Sequence, residues 1–205
     1  ETLVIFTSDN GGFAGATSNA PLRANKGAAY EGGIRVPLII RWPGVATPGS
    51  VIGEPVTSTD IYPTCLAAAG LPARPAQHVD GMNLEPLLRG TKYPPRSALY
   101  WHFPHYNEHP SSVPASVIRK GSWKLIESFD PPARELYDLA ADIGESHDLA
   151  AAMPDVVAEL SADLAAWRAE TGAQMMQPNP DFDPVKASEG GGKKKKRQLR
   201  KETEE

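Results

Sequence analysis

Thr2-Leu-Val-Ile-Phe-Thr-Ser-Asp-Asn-Gly-Gly12 is the stretch from which the fold is read. Four consecutive apolar residues, Leu3–Phe6, run into a polar, glycine-closed loop. A short unbroken apolar run of this kind reads as a strand buried on both faces, parallel and central in its sheet. Residues 13–33 are rich in Gly, Ala, Asn and Ser and carry no period, so they read as a long loop. Long loops within compact domains are usually functional. Val36–Ile40 supplies a second buried strand, closed by Trp42-Pro43-Gly44. A central parallel strand needs neighbours on both sides and helices on both faces. The downstream sequence offers one evident partner, so the chain reads as the back portion of a larger protein.

Asp60–Gly70 reads as a helix, with Asp60 as its cap, Pro63 in its first turn and Gly70 as its stop. A short helix near Leu84–Leu88 and an aromatic, histidine-rich loop over Tyr100–Pro114 follow. Ser116–Arg119 and Trp123–Glu127, joined around Lys120-Gly121-Ser122, predict a β-hairpin, and Glu135–Leu139 a further strand. Trp123, Leu125 and Ile126 are expected in the core, alternating with Lys124. Val156, Val157, Leu160, Leu164 and Trp167 recur at helical spacing, which predicts a helix over Pro154–Thr171 ended by Gly172. The expected fold class is α/β: the edge of an α/β core over residues 1–95, then a small α+β subdomain over 96–185 with an antiparallel sheet and one long helix. Residues 186–205 form a basic tail too poor in apolar residues to pack, and read as disordered.

The 205 residues include 18 Gly and 20 Pro, which argues against a long-helix bundle. Apolar residues at 40% and charged residues at 22% fit a soluble globular chain. No apolar run approaches the ~18 residues that span a bilayer, so no membrane span is expected. Ahead of the first strand no leader-like pattern is visible. The formal net charge of −4 hides an asymmetry. From Lys186 onward, eight basic and four acidic residues give +4, leaving −8 on the body. An acidic body without a basic face excludes nucleic acid as the expected partner. The single cysteine, Cys65, rules out an intrachain disulfide and is expected to be a small buried hydrophobe.

Two constellations carry chemistry. Asp9 and Asn10, at the carboxyl end of a strand, offer hard oxygen donors suited to Ca²⁺ or Mg²⁺. The same DNGG text is also an ordinary Asx turn. About six oxygens surround such a cation, and these two side chains supply at most three, so any metal site needs further ligands. Arg23, Lys26 and Arg35 bring cations into a glycine-rich loop, an environment that holds a sulfate or phosphate. Solvated surface cations are the plain alternative. His102, His105 and His109 lie at spacings suggestive of zinc, but Pro104 breaks any helix that would align them. A place for His102 or His105 in the wall of a substrate pocket stands beside simple packing.

TLVIFTSDNGG, LRANKGAAYEGGIRVPLIIRWPG, TDIYPTCLAAAG, DGMNLEPLLRG, SVIRKGSWKLI and ELYDLAADIGESHDLA resemble, in order, the C-terminal blocks of the type I sulfatases. These are the arylsulfatase and N-sulfoglucosamine sulfohydrolase-like enzymes of the alkaline-phosphatase superfamily. The resemblance covers residues 2–170. It implies that Asp9 and Asn10 are metal ligands and that Lys26 contacts the sulfate. It further implies a Ca²⁺ (or Mg²⁺) cofactor, a sulfated small molecule or glycan as substrate, and a periplasmic or extracellular enzyme. Arg23, Glu31 and Arg35 are expected to be scaffold, with Glu31 and Arg35 paired. The family's formylglycine is made within a Cys/Ser-x-Pro-x-Arg motif, which is absent here; Cys65 lacks the required Pro and Arg. The expectation is therefore a fragment of a sulfuric ester hydrolase, partnered by the missing N-terminal half of the same enzyme and inactive alone. A phosphodiesterase or phosphonate hydrolase of the same superfamily, and a non-catalytic anion-binding module, are the alternatives.

Overall fold

A computed structural model describes residues 2–106 and 112–182. His109 and the Lys193–Arg200 run lie outside the described residues. Glu1–Ala173 form one compact unit and Gln174–Glu205 a second. In the described part of the second, Asn179 closes a turn by accepting from the Asp181 amide.

Among its described residues the first unit has two sheets. Strand β1 (Val4–Thr7) pairs antiparallel with β2 (Leu38–Arg41), with Val4 opposite Arg41 and Thr7 opposite Leu38. This corrects the expectation of a buried parallel strand. A parallel partner requires a crossover, usually through a helix. Between β1 and β2 the chain instead doubles back through loops and the four-residue helix α1 (Glu31–Ile34). Nor is the pair covered: Phe6 is 61% and Ile39 62% exposed.

The second sheet is a meander of β3 (Leu99–Phe103), β4 (Ala115–Lys120), β5 (Trp123–Phe129) and β6 (Pro132–Asp138). Gly121 at φ +60° and Ser122 form the two-residue link from β4 to β5, a turn that needs a positive φ and so selects glycine. Strand β3 falls inside the stretch read as a loop. Its Leu-Tyr-Trp-His-Phe sequence favours a strand, and the first proline of the stretch is Pro104, just past the strand's end.

Both faces of this sheet are packed. On one, helix α4 (Pro154–Glu170) sets Leu160 and Leu164 against Ile118, Leu125 and Leu136, all at most 2% exposed. Tyr100 stacks flat on Trp167, with ring centroids 4.9 Å apart. On the other, Val117, Ile126 and Tyr137 meet Ala29 and Tyr30 from the loop ahead of α1. Glu127 joins β5 to its surroundings by accepting from Arg134, Ser161 and Arg168.

Between the sheets lie a 3₁₀ turn (Ser58–Asp60), α2 (Ile61–Ala68) and α3 (Glu85–Leu88). Asp60 stands at the N-cap of α2, but its side chain makes no capping bond there. Its fully buried carboxylate accepts from the Thr57 and Met82 amides and, at 2.6 Å, from Arg96. Cys65 is exposed, against expectation, because α2 turns Pro63, Thr64 and Leu66 inward and leaves position 65 on the outer side.

Candidate functional site

The loop that leaves β1 is held by backbone. The Gly11 amide donates to Gly33 O at 2.9 Å, and the Lys26 amide donates to Gly12 O at 3.1 Å. Asn19 closes the arrangement with its carboxamide: Oδ1 accepts from the Gly12 amide and Nδ2 donates to Gly12 O, both at 2.9 Å. The approach is too close for side chains. A Cβ on Gly11 would stand 1.8 Å from Gly32 O, and one on Gly32 would stand 2.3 Å from Ala24 O. The glycines of DNGG and EGG therefore allow two loops to share a backbone contact that any other residue would push apart.

Asp9 and Asn10 emerge from this knot at the edge of an open cavity of about 1350 Å³, also lined by Gly27, Arg35, Trp101 and His102. Asp9 is exposed and Asn10 half-buried. Among the described residues, neither side chain has a hydrogen-bond or ion-pair partner. Their carboxylate and carboxamide oxygens suit a hard divalent cation in kind and fall short of it in number. No group of three or more His, Cys, Asp or Glu side chains that could hold a metal occurs among the described residues.

The three cations of the loop separate into distinct roles. Arg23 lies over the Tyr30 ring, 3.8 Å from its centroid, and donates to the Tyr137 hydroxyl at 2.7 Å and to Glu145 O at 2.9 Å. Its Nη1 is committed to the scaffold. Arg35 faces the Glu31 carboxylate at 3.5 Å, the pairing expected from the sequence. Lys26 is exposed and, among the described residues, its ammonium has no partner. Beside Arg23, burial and a hydrogen bond to Glu135 push the Tyr30 hydroxyl up to about 12.

His102 lines the cavity, with Nδ1 2.7 Å from Ser116 Oγ and its ring edge-on to Phe129. His105 packs instead against Phe103, with centroids 5.3 Å apart, and does not line the cavity. Three residues of the arrangement escape the sequence reading. Asn19 sits in featureless loop text. Lys124, placed by alternation opposite the core residues, is fully buried and ion-paired to Glu31 at 3.0 Å and Glu145 at 2.8 Å. Burial pushes the Glu145 carboxyl up, against the pull of Lys124.

Residues 24–170 match the family model described as N-sulphoglucosamine sulphohydrolase, C-terminal. The chain is 41% identical over 181 residues to a sulfatase of Formosa agariphila, covering 81% of this chain and 32% of that protein. It is 37% identical over 191 residues to human (Homo sapiens) arylsulfatase A, covering 78% and 36%. Among solved structures it resembles BT4656 in complex with its substrate D-glucosamine-2-N,6-O-disulfate. There the TM-score is 0.64 and the identity 27%, over 81% of this chain and 34% of that one. The chain thus spans about a third of the length of these two curated relatives.

Proposed function

The chain belongs to the sulfatase family, and from that membership we propose that it is the C-terminal portion of a metal-dependent sulfuric ester hydrolase. In this reading Asp9 and Asn10 provide part of the ligand set of a divalent cation, Ca²⁺ or Mg²⁺. Lys26 contacts the sulfate of a sulfated sugar or other small sulfate ester. His102 forms part of the wall against which the substrate's organic portion lies.

The observation that carries the reading is the glycine knot. It joins a carboxylate–carboxamide pair and a lysine, all without partners among the described residues, through a single backbone contact at Gly12. Opposite charges left unpaired on adjoining loops are what a cation and its bound anion would require. When bound, the cation polarises the sulfuryl oxygens and stabilises the charge that develops on them. Lys26 adds a positive charge to the same oxygens, and removing one such donor typically costs ~10²–10³ in turnover. Arg23 holds the loop by its contacts to Tyr137 and Glu145, and Arg35 keeps Glu31 in place.

The remaining ligands and the formylglycine nucleophile would come from outside these residues. The length relationship supports this, and so do the uncovered apolar faces of β1 and β2, which a further layer of the same enzyme would cover. Among the described residues no helix is long and apolar enough to cross a membrane.

Two assays with a chromogenic aryl sulfate and Ca²⁺ test the proposal. The chain alone is expected to show no turnover. A full-length sulfatase carrying this segment is expected to turn over and to lose about 10²-fold with Lys26→Ala. Turnover by the chain alone, or an unchanged rate in the variant, would overturn it.

A further inference from the structure

Lys124 sits in the middle of β5 with its side chain fully buried, on the sheet face that carries Ile126 and Tyr137. An apolar residue at such a position would pack without any desolvation cost. Instead the ammonium reaches Glu31 Oε1 at 3.0 Å and Glu145 Oε1 at 2.8 Å. Glu145 Oε2 accepts from the Glu31 amide at 2.6 Å. The first residue of α1 is thus gripped twice, its carboxylate by Lys124 and its amide by Glu145. Glu145 makes this contact at φ +50°, a left-handed backbone unfavourable for a residue with a side chain. Its backbone carbonyl is in turn held by Arg23.

Helix α1 is also the element on which the site loop rests. Gly33 O, two residues from Glu31, accepts from the Gly11 amide, and Gly32 packs against Gly11 with no room for a Cβ. A continuous path therefore runs from β5 through Glu31 and Gly33 to the residue that follows Asn10. Contacts between charged groups are directional in a way apolar packing is not, which suits them to fixing register between two elements.

We propose that Lys124 and Glu145 are positioning residues: acting through Glu31 and α1, they set the Asp9–Asn10 loop from the four-stranded sheet. The function of that loop rests on the metal-site reading above; its positioning does not. In that reading the cation meets the Asp9–Asn10 loop, whereas Lys124 and Glu145 do not line the cavity on which the loop opens.

The test is NMR-detected amide hydrogen exchange on the 205-residue chain, comparing the wild type with Lys124→Met. The Gly11 and Lys26 amides, which close the knot, are expected to exchange on the order of tenfold faster, while the Leu125 and Ile118 amides of the sheet keep their protection. Unchanged protection at Gly11 and Lys26 would overturn the proposal. Loss of protection at all four sites together would overturn it as well, because that is the signature of a general structural role. Where Lys124→Met does not fold, Glu145→Gln decides. This near-isosteric change turns one acceptor into a donor and is expected to produce the same selective loss to a smaller extent; uniform or absent loss contradicts the proposal. Asp9→Asn separates the two readings. It is expected to leave Gly11 and Lys26 exchange at the wild-type level while abolishing the heat of Ca²⁺ binding. Wild-type Ca²⁺ heat in that variant, alongside a selective Lys124→Met effect, would remove the metal reading and leave the positioning intact.

Discussion

The four-stranded sheet and the β1–β2 pair are both antiparallel and both rich in apolar residues, yet one is closed and the other open. The sheet has α4 on one face and the Ala29–Tyr30 segment on the other, and its central strands are almost wholly removed from solvent. The strand pair leaves Val4, Phe6 and Ile39 exposed. Apolar residues contribute to stability through the area they remove from water. The same residue types therefore stabilise one region and contribute little in the other. The candidate site lies where the two meet: its loop leaves the open pair and is anchored, through α1, to the closed sheet.

The largest effect is expected in the closed region. Leu164→Ala, between α4 and the sheet, should destabilise the chain by about 2–5 kcal/mol in urea denaturation. A change below about 1 kcal/mol would mean that α4 is not part of the core. A smaller effect follows from Glu127. Burial raises its carboxyl pKa, but hydrogen bonds from Ser161, Arg168 and Arg134 outweigh this and hold it below the ordinary range. A carboxyl whose folded pKa is depressed contributes stability above its unfolded value of about 4.3, and that stability is lost as pH falls through the folded value. Thermal melts from pH 6 down to pH 3 should show this loss, and Glu127→Gln should flatten it; an equally steep profile in the variant would assign the slope elsewhere. The smallest effect belongs to the open pair. Phe6→Ser with Ile39→Ser should shift stability by no more than about 0.5 kcal/mol in the chain as it stands. A loss comparable to that of Leu164→Ala would erase the contrast between the regions.

The parts of the fold legible in the sequence are those with local signals. Gly121-Ser122 between two apolar runs marks the hairpin, and the spacing of Val156, Leu160, Leu164 and Trp167 marks α4, each within one element. The direction of β1 is not legible, because an apolar run reads the same in parallel and antiparallel pairing and does not say whether its cover lies within the same residues. The exposure of Cys65 is not legible for a related reason: apolar neighbours along the chain do not share one face of a helix. In the site, Asp9, Asn10 and Lys26 stand out by residue type and by the resemblance of their surroundings. The knot does not, since its contacts join Gly11 to Gly33 and Gly12 to Asn19. Nor does Lys124 in a strand reveal whether it faces water or a carboxylate, when that carboxylate is 93 residues away in the chain.

In the proposed function the residues capping β1 provide part of a divalent-cation site. Calorimetric titration of the chain with CaCl₂, set against the Asp9→Ala/Asn10→Ala double variant, tests it most directly. The wild type is expected to bind weakly and saturably, with a Kd of order 10⁻³ M, and the double variant not at all. Equal heats from the two proteins would contradict it.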